Sequence, residues 1–86
     1  MSSADNVAET VRLFLRAVER QRLPMSGDLR VREVDAATLL GISESGLRAL
    51  RSTGDGPKAV QAGVAGSRLS YSLIALATWI EQRRER

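Results

Sequence analysis

The chain has 86 residues and a formal charge of +3, and it contains neither histidine nor cysteine. A single small domain of this length buries only a modest part of its surface, so a large enclosed active site is not expected. Because thiolate chemistry is absent and the commonest general base and metal ligand is missing, the composition predicts a protein that is not an enzyme and needs no metal or other cofactor.

The N-terminal residues predict neither export nor membrane insertion. Asp5 and Glu9 lie where a signal peptide would be basic and then apolar. No apolar run approaches the roughly 20 residues that a membrane-spanning helix needs. We therefore expect a soluble, cytoplasmic protein with no membrane partner.

The first predicted element is a helix from Ala4 to Arg22. Its apolar residues recur at alternating spacings of four and three and define what is here called the N-terminal stripe: Val7, Val11, Phe14 and Val18. Such spacing is typical of a helix packed against its own domain, and equally of a short coiled-coil seam. The helix is therefore either a structural brace or the dimerisation element of a homodimer.

A connector follows the N-terminal helix. Pro24, Gly27 and Asp28 lie within residues 23–30, a composition that breaks helices. The chain thus divides into an N-terminal helix (1–22), a connector (23–30) and a main domain (31–86).

Two short helices are predicted to meet at a tight corner. The first runs from Glu33 to Leu40, and Gly41 follows it where a helix end commonly needs a left-handed residue. Ser43 is a good N-cap for the second, from Glu44 to Ser52. A further set of residues supplies the apolar contacts of the corner, with small Ala37 at the helix crossing and Ile42, Leu47 and Leu50 pointing inward. This spacing is the apolar skeleton of a helix-turn-helix.

The glycine-rich residues 53–72 predict a β-hairpin, or wing. Its strands are residues 59–62 and 67–71, and alternation places Leu69 and Tyr71 on one face with Arg68 and Ser70 on the other. Ser72 then caps a last helix that ends near Arg83. Its apolar face consists of Leu73, Leu76, Ala77 and Ile80, and we expect both Tyr71 and Trp79 in the core. The predicted fold is mostly α with a small β-hairpin: a winged helix-turn-helix with an extra N-terminal helix.

The basic residues of this chain permit a nucleic-acid partner. Twelve of the thirteen are arginine, whose planar guanidinium matches phosphate and guanine edges better than lysine does. A GC-rich genome would produce the same bias. The arginine content alone therefore does not decide the partner.

Residues 31–83 carry a family resemblance. The segments VREVDAATLLGIS, GDGPKAV and RLSY follow one another, with Trp79 eight residues beyond Tyr71. In order and spacing they resemble the excisionase and AlpA-like branch of the MerR-type winged helix-turn-helix proteins. The resemblance implies sequence-specific binding of double-stranded DNA, as a recombination directionality factor or small transcriptional regulator of a phage or other mobile element. An integrase or another mobile-element protein would then be a partner.

Carried over by position, the resemblance implies a set of DNA-contacting residues. Glu44, Ser45 and Arg48 would face bases next to the capping Ser43, and Arg51, Lys58 and Arg68 would meet phosphate or the groove at the wing. From the residues alone, Glu44 and Arg48 could equally form an intrahelical ion pair on an exposed surface.

Two alternatives use the same fold. One is the DNA-recognition domain of a phage packaging small subunit. The other is a protein-interaction module, for example an inhibitor of a host enzyme, in which DNA contact is lost. Gly46 on the recognition helix and the uncharged tip at Gly63–Gly66 favour this second alternative.

Overall fold

The computed structural model describes residues 3–84, with side chains from Asp5 onwards. It contains four helices and two short strands: α1 (Ser3–Gln21), β1 (Arg30–Arg32), α2 (Glu33–Leu40), α3 (Glu44–Thr53), β2 (Ser70–Ser72) and α4 (Leu73–Arg84). The strands pair antiparallel, with Val31 opposite Tyr71. The fold is mostly helical and of the winged helix-turn-helix type, with an extra N-terminal helix, as the sequence predicts. No helix in the described part of the chain is both long and apolar enough to cross a membrane.

The core forms where α1 and α4 pack on the two-stranded sheet and the helical corner. Val31, Leu47, Tyr71 and Leu76 are completely buried, and they come from β1, α3, β2 and α4 in turn. One apolar cluster therefore ties together all the elements that surround the corner.

The N-terminal stripe is covered by this same core. Phe14 and Val18 are buried, and Val7 and Val11 pack partly buried against the cluster. Between the two helices, the Thr10 hydroxyl donates to the Glu81 carboxylate at 3.1 Å. The chain's own core thus occupies Phe14 and Val18, so these two side chains are not free to form a dimer seam. Val7 and Val11 keep part of their surface exposed, and homodimerisation stays a prediction.

The corner between α2 and α3 forms where the sequence predicts it. Gly41 ends α2 in the left-handed conformation, with φ of 76°, and the Ser43 hydroxyl caps α3 by accepting from the Gly46 amide at 3.0 Å. Ala37 is buried at the crossing. The expectation for Ile42 was wrong, because its amide closes the helix end by donating to the Ala37 carbonyl at 3.0 Å and its side chain stays 36% exposed.

The wing differs most from its prediction. Residues 59–62 and 67–71 do not form two full strands, and a single bridge joins Val60 to Ser70. Instead β2 begins at Ser70 and pairs with β1, a strand that the sequence analysis had not predicted. Ser70 is consequently buried rather than exposed, because it is hydrogen-bonded on one side to Val60 and paired on the other with Arg32.

The start of α4 and its aromatic residues complete the fold. The Ser72 hydroxyl accepts from the Ala75 amide at 2.9 Å and caps α4, as expected. Tyr71 is buried in the core, but Trp79 is only partly buried. The Trp79 indole N–H donates to the Asp55 carbonyl at 2.8 Å, and the Arg83 guanidinium lies 4.6 Å from the ring centroid. Trp79 therefore fastens the loop after α3 onto α4.

Candidate nucleic-acid interface

The outer face of α3 is polar and open. Leu47 is buried and Leu50 half-buried beneath the helix, which turns Glu44, Ser45 and Arg48 outward. The N-terminal end of α3 also carries the exposed cap Ser43. Side chains at the start of a recognition helix are the groups that contact base edges in helix-turn-helix proteins.

A cleft of about 500 Å³ separates α3 from the loop before β2. One wall is formed by α3 and the start of α2, and the other by residues 65–69 of the loop. The charged side chains that line it are four arginines and two glutamates: Arg32, Glu33, Glu44, Arg48, Arg51 and Arg68. The cleft is thus cationic and accessible from solvent.

Two of these arginines are held by carboxylates. The Arg32 guanidinium donates to both oxygens of Asp35, at 2.7 and 3.2 Å. In the same way the Arg51 guanidinium donates to both oxygens of Glu33, at 2.9 and 3.3 Å. These bidentate hydrogen bonds raise the pKa of both arginines.

The other two arginines of the cleft, Arg48 and Arg68, form no ion pair with a described carboxylate and are free to bind a ligand. Both are exposed, and no carboxylate of the described residues forms an ion pair with either. In particular, Glu44 and Arg48 do not form the intrahelical pair that their spacing permits. Arg48 and Arg68 therefore place two guanidinium groups without a salt bridge on opposite walls of one cleft.

A buried polar cluster lies at the base of the cleft. The Tyr71 hydroxyl donates to Glu33 Oε2 at 2.9 Å, so the carboxylate bound by Arg51 accepts a further hydrogen bond. Burial of Glu33 acts to raise its pKa, but the hydrogen bonds from Arg51 and Tyr71 outweigh it and lower that pKa. Burial, followed by the hydrogen bond to Glu33 and its charge, raises the pKa of Tyr71 from 10.0 to about 12.

The structure brings together most, but not all, of the residues assigned from the sequence. Glu44, Arg48, Arg51 and Arg68 line the cleft, whereas Ser43 and Ser45 lie beside it at the N-terminal end of α3. Lys58 does not join them, because it lines a separate depression against Thr78 and Trp79 of α4. The loop after α3 runs along α4 before it turns back to β2, and this separates Lys58 from the cleft. Its contact with DNA stays a prediction.

Sequence reasoning missed the residues of β1 and the start of α2. Arg32 and Glu33 line the cleft, and Arg30 supports the loop wall by donating to Ser70 Oγ at 2.7 Å and to the Ala62 carbonyl at 3.1 Å. The alternation of Arg30 and Arg32 around apolar Val31 is typical of a short strand and was the signal for this element. The Arg30 Nε–H group donates to the Asp28 carboxylate at 2.9 Å. That hydrogen bond lowers the pKa of Asp28 to about 2.

No family model matches this chain, and no curated protein or solved structure is significantly similar to it. Within the described residues, no cluster of three or more acidic side chains is arranged to hold a metal ion. The geometry and charge of the cleft are therefore the basis for assigning a function.

Proposed function

We propose that this protein binds double-stranded DNA in a sequence-specific manner, with α3 in the major groove. In this proposal it acts in the cytoplasm as an excisionase-like recombination factor or a small transcriptional regulator of a mobile element, with an integrase as a protein partner in the first case. The observation that carries the DNA-binding proposal is the pair of exposed arginines without a salt bridge, Arg48 and Arg68, on the two walls of one open cleft.

Arg48 is the base-reading residue of the proposal. It lies one turn after Glu44 on the exposed face of α3, where a long side chain reaches beyond the helix. A guanidinium in the major groove donates to both acceptors of a guanine edge. Glu44, without an intramolecular ion pair, would accept from the amino group of cytosine.

Arg68 is the backbone-contacting residue of the proposal. It comes from the loop rather than from α3, so it meets DNA at a distance from the base edges that Arg48 reads. Contacts to phosphate position a protein on the duplex but carry no sequence information. In this proposal Arg48 on α3 recognises bases, and Arg68 on the loop positions the protein on the duplex.

Selection from a pool of random duplexes, followed by titration of the selected duplex, tests the proposal. We expect one preferred site and a salt-dependent affinity. Arg48→Ala should cost about 1 to 3 kcal/mol on that site and relax the preference at one position, whereas Arg68→Ala should weaken all duplexes alike. Arg16→Ala is the matched control, because Arg16 is an exposed arginine of α1 outside the cleft. Enrichment of no sequence would contradict the proposal.

A protein-interaction module is the second candidate. It is favoured by the neutralisation of Arg32 and Arg51, which leaves the cleft less cationic than its arginine content suggests. Val34, 39% exposed, adds apolar surface to the same cleft. A chain that binds no duplex at low salt would support this candidate over DNA binding.

A further inference from the structure

The ion pair at the base of the cleft joins three elements. Arg51 lies near the C-terminal end of α3, Glu33 begins α2, and Tyr71 is the central residue of β2. Glu33 Oε2 accepts from both Arg51 Nε and the Tyr71 hydroxyl, at 2.9 Å each, and Glu33 Oε1 accepts from Arg51 Nη2 at 3.3 Å. This trio, Arg51–Glu33–Tyr71, links the recognition helix directly to the strand that follows the loop wall.

The trio combines two buried groups, Glu33 and Tyr71, with a guanidinium whose side chain is 38% exposed. Tyr71 is completely buried and Glu33 is 8% exposed, so the carboxylate has little water to replace a lost partner. A buried carboxylate without its cation is strongly unfavourable, and this keeps the Arg51 guanidinium on Glu33. The planar guanidinium also fixes direction, because two of its N–H groups must meet two oxygens at once.

The position of the trio determines how the two walls of the cleft face each other. Arg51 lies one turn beyond Arg48 on α3, and Tyr71 lies three residues after Arg68. A rotation of α3 that moved Arg48 would pull Arg51 away from Glu33. The same contact that holds Arg51 therefore limits the separation between Arg48 and Arg68.

We infer that Arg51 is a positioning residue: bound to Glu33 and Tyr71, it holds α3 at the angle at which Arg48 and Arg68 meet one DNA duplex together. This inference rests on the proposed function. It replaces the role that sequence position gave to Arg51, which was direct contact with phosphate. Specificity then depends on two buried groups, Glu33 and Tyr71, that do not themselves touch DNA.

The two roles of Arg51 make different expectations for the affinity ratio of Glu33→Gln between the selected and a scrambled duplex. If Arg51 contacts phosphate, Glu33 competes with DNA for the guanidinium, and removing the carboxylate charge strengthens binding to every duplex and leaves that ratio unchanged. If Arg51 is a positioning residue, Glu33→Gln weakens the hold on α3 and lowers that ratio. The affinity ratio of this single variant therefore separates the two roles.

The experiment measures the affinity of the full chain for the selected duplex and for a scrambled duplex across a salt series. The variants are Arg51→Ala, Glu33→Gln, the double variant and Tyr71→Phe, all at a temperature where circular dichroism shows them folded. We expect each single change at Arg51 or Glu33 to lower the ratio of the two affinities between about threefold and thirtyfold. The salt dependence should stay that of the unchanged chain, and the double variant should lose no more than either single variant.

Tyr71→Phe keeps the test decisive if the other variants do not fold. It removes one hydroxyl and leaves the buried ring, and Tyr71 has no exposed surface with which to contact DNA. A lower affinity ratio in this variant supports the inference. A fall of roughly one in the salt slope for Arg51→Ala, together with an unchanged affinity ratio for Glu33→Gln, would overturn it. Absence of any selected duplex for the unchanged chain would instead overturn the proposed function.

Discussion

The two walls of the cleft are held in place by different forces. The α3 wall stands on the completely buried side chain of Leu47, and both helix ends are capped, by Ser43 and by Gly54 with φ of 77°. The loop wall and the segment before it, residues 59–69, contain one buried residue, Val64, and two that pack partly buried against the core, Ala59 and Leu69. Hydrogen bonds around Ser70 add to this support.

This difference predicts that the α3 wall is more rigid than the loop wall. A wall fixed by close packing has few alternative arrangements, because displaced core side chains leave cavities. A wall fixed by a few partly exposed hydrogen bonds opens locally at a smaller free-energy cost. Under the proposed function, the packed wall would read bases and the loop wall would make adaptable contacts to the DNA backbone. Each wall can be perturbed separately.

Removing the support beneath α3 should have the largest effect. Leu47→Ala deletes a side chain with no exposed surface in a closed core, and we expect a loss of about 2 to 5 kcal/mol in the free energy of unfolding. Denaturant titration measures this loss. The control is Leu13→Ala, because Leu13 is 52% exposed on α1. Equal losses in the two variants would show that α3 does not rest on a packed core.

Alkaline pH should release the trio at the base of the cleft. The pKa of Tyr71 is raised from 10.0 to about 12 in the folded chain, so the protonated phenol stabilises the fold. That contribution is complete below pH 10 and is lost as the pH rises towards 12, a loss of roughly 2 to 3 kcal/mol. Thermal melts across this range measure it.

The alkaline experiment has a built-in control. Tyr71 is the single tyrosine of the chain, so the absorbance of tyrosinate reports its ionisation directly. Tyr71→Phe should remove this part of the pH dependence. A tyrosinate transition near the ordinary pKa of tyrosine would contradict the buried hydrogen bond to Glu33.

The loop wall should respond to a substitution that leaves the core untouched. A Cβ added at Gly63 would collide with the backbone carbonyl oxygen of Ser67, so Gly63→Ala forces the loop to move. We expect a loss of about 1 to 3 kcal/mol in stability and a weaker affinity for all duplexes. Gly27→Ala is the matched control, because nothing lies within 4 Å of a Cβ at that position. Identical behaviour of the two variants would show that the loop wall is not closely packed at Gly63.

The smallest effect should come from the cap of α3. Ser43→Ala removes the hydroxyl that accepts from the Gly46 amide, and we expect a loss of about 1 kcal/mol. Ser43→Asp should retain the cap and restore stability. Chemical denaturation of the two variants checks this order, and equal stability would mean that Ser43 does not cap the helix.

The two walls also differ in how far the sequence predicts them. Gly41 and Ser43 act on residues within one turn, so the bounds of α2 and the start of α3 follow from local patterns. The pairing of Val31 with Tyr71 joins residues 40 apart in the chain. Local sequence patterns do not predict which distant segment pairs with β2. The predicted hairpin is reduced to the single bridge between Val60 and Ser70, and β1 pairs along the other edge of β2.

The same distinction holds for the site. The exposure of Ser45 and Arg48 follows from the burial of Leu47 and the partial burial of Leu50 on the opposite side of the helix. The pairing of Arg51 with Glu33 spans 18 residues and depends on the crossing of α2 and α3. The sequence therefore placed Arg51 on α3 but did not predict its ion pair with Glu33.

Amide chemical-shift mapping of the isotope-labelled chain, titrated with the selected duplex, tests the central claim most directly. We expect the perturbed amides to cluster at the N-terminal half of α3 and at residues 65–69 of the loop, the two walls that carry Arg48 and Arg68. Perturbations confined to the outer face of α1 or to the loop around Trp79, with both walls unchanged, would contradict it.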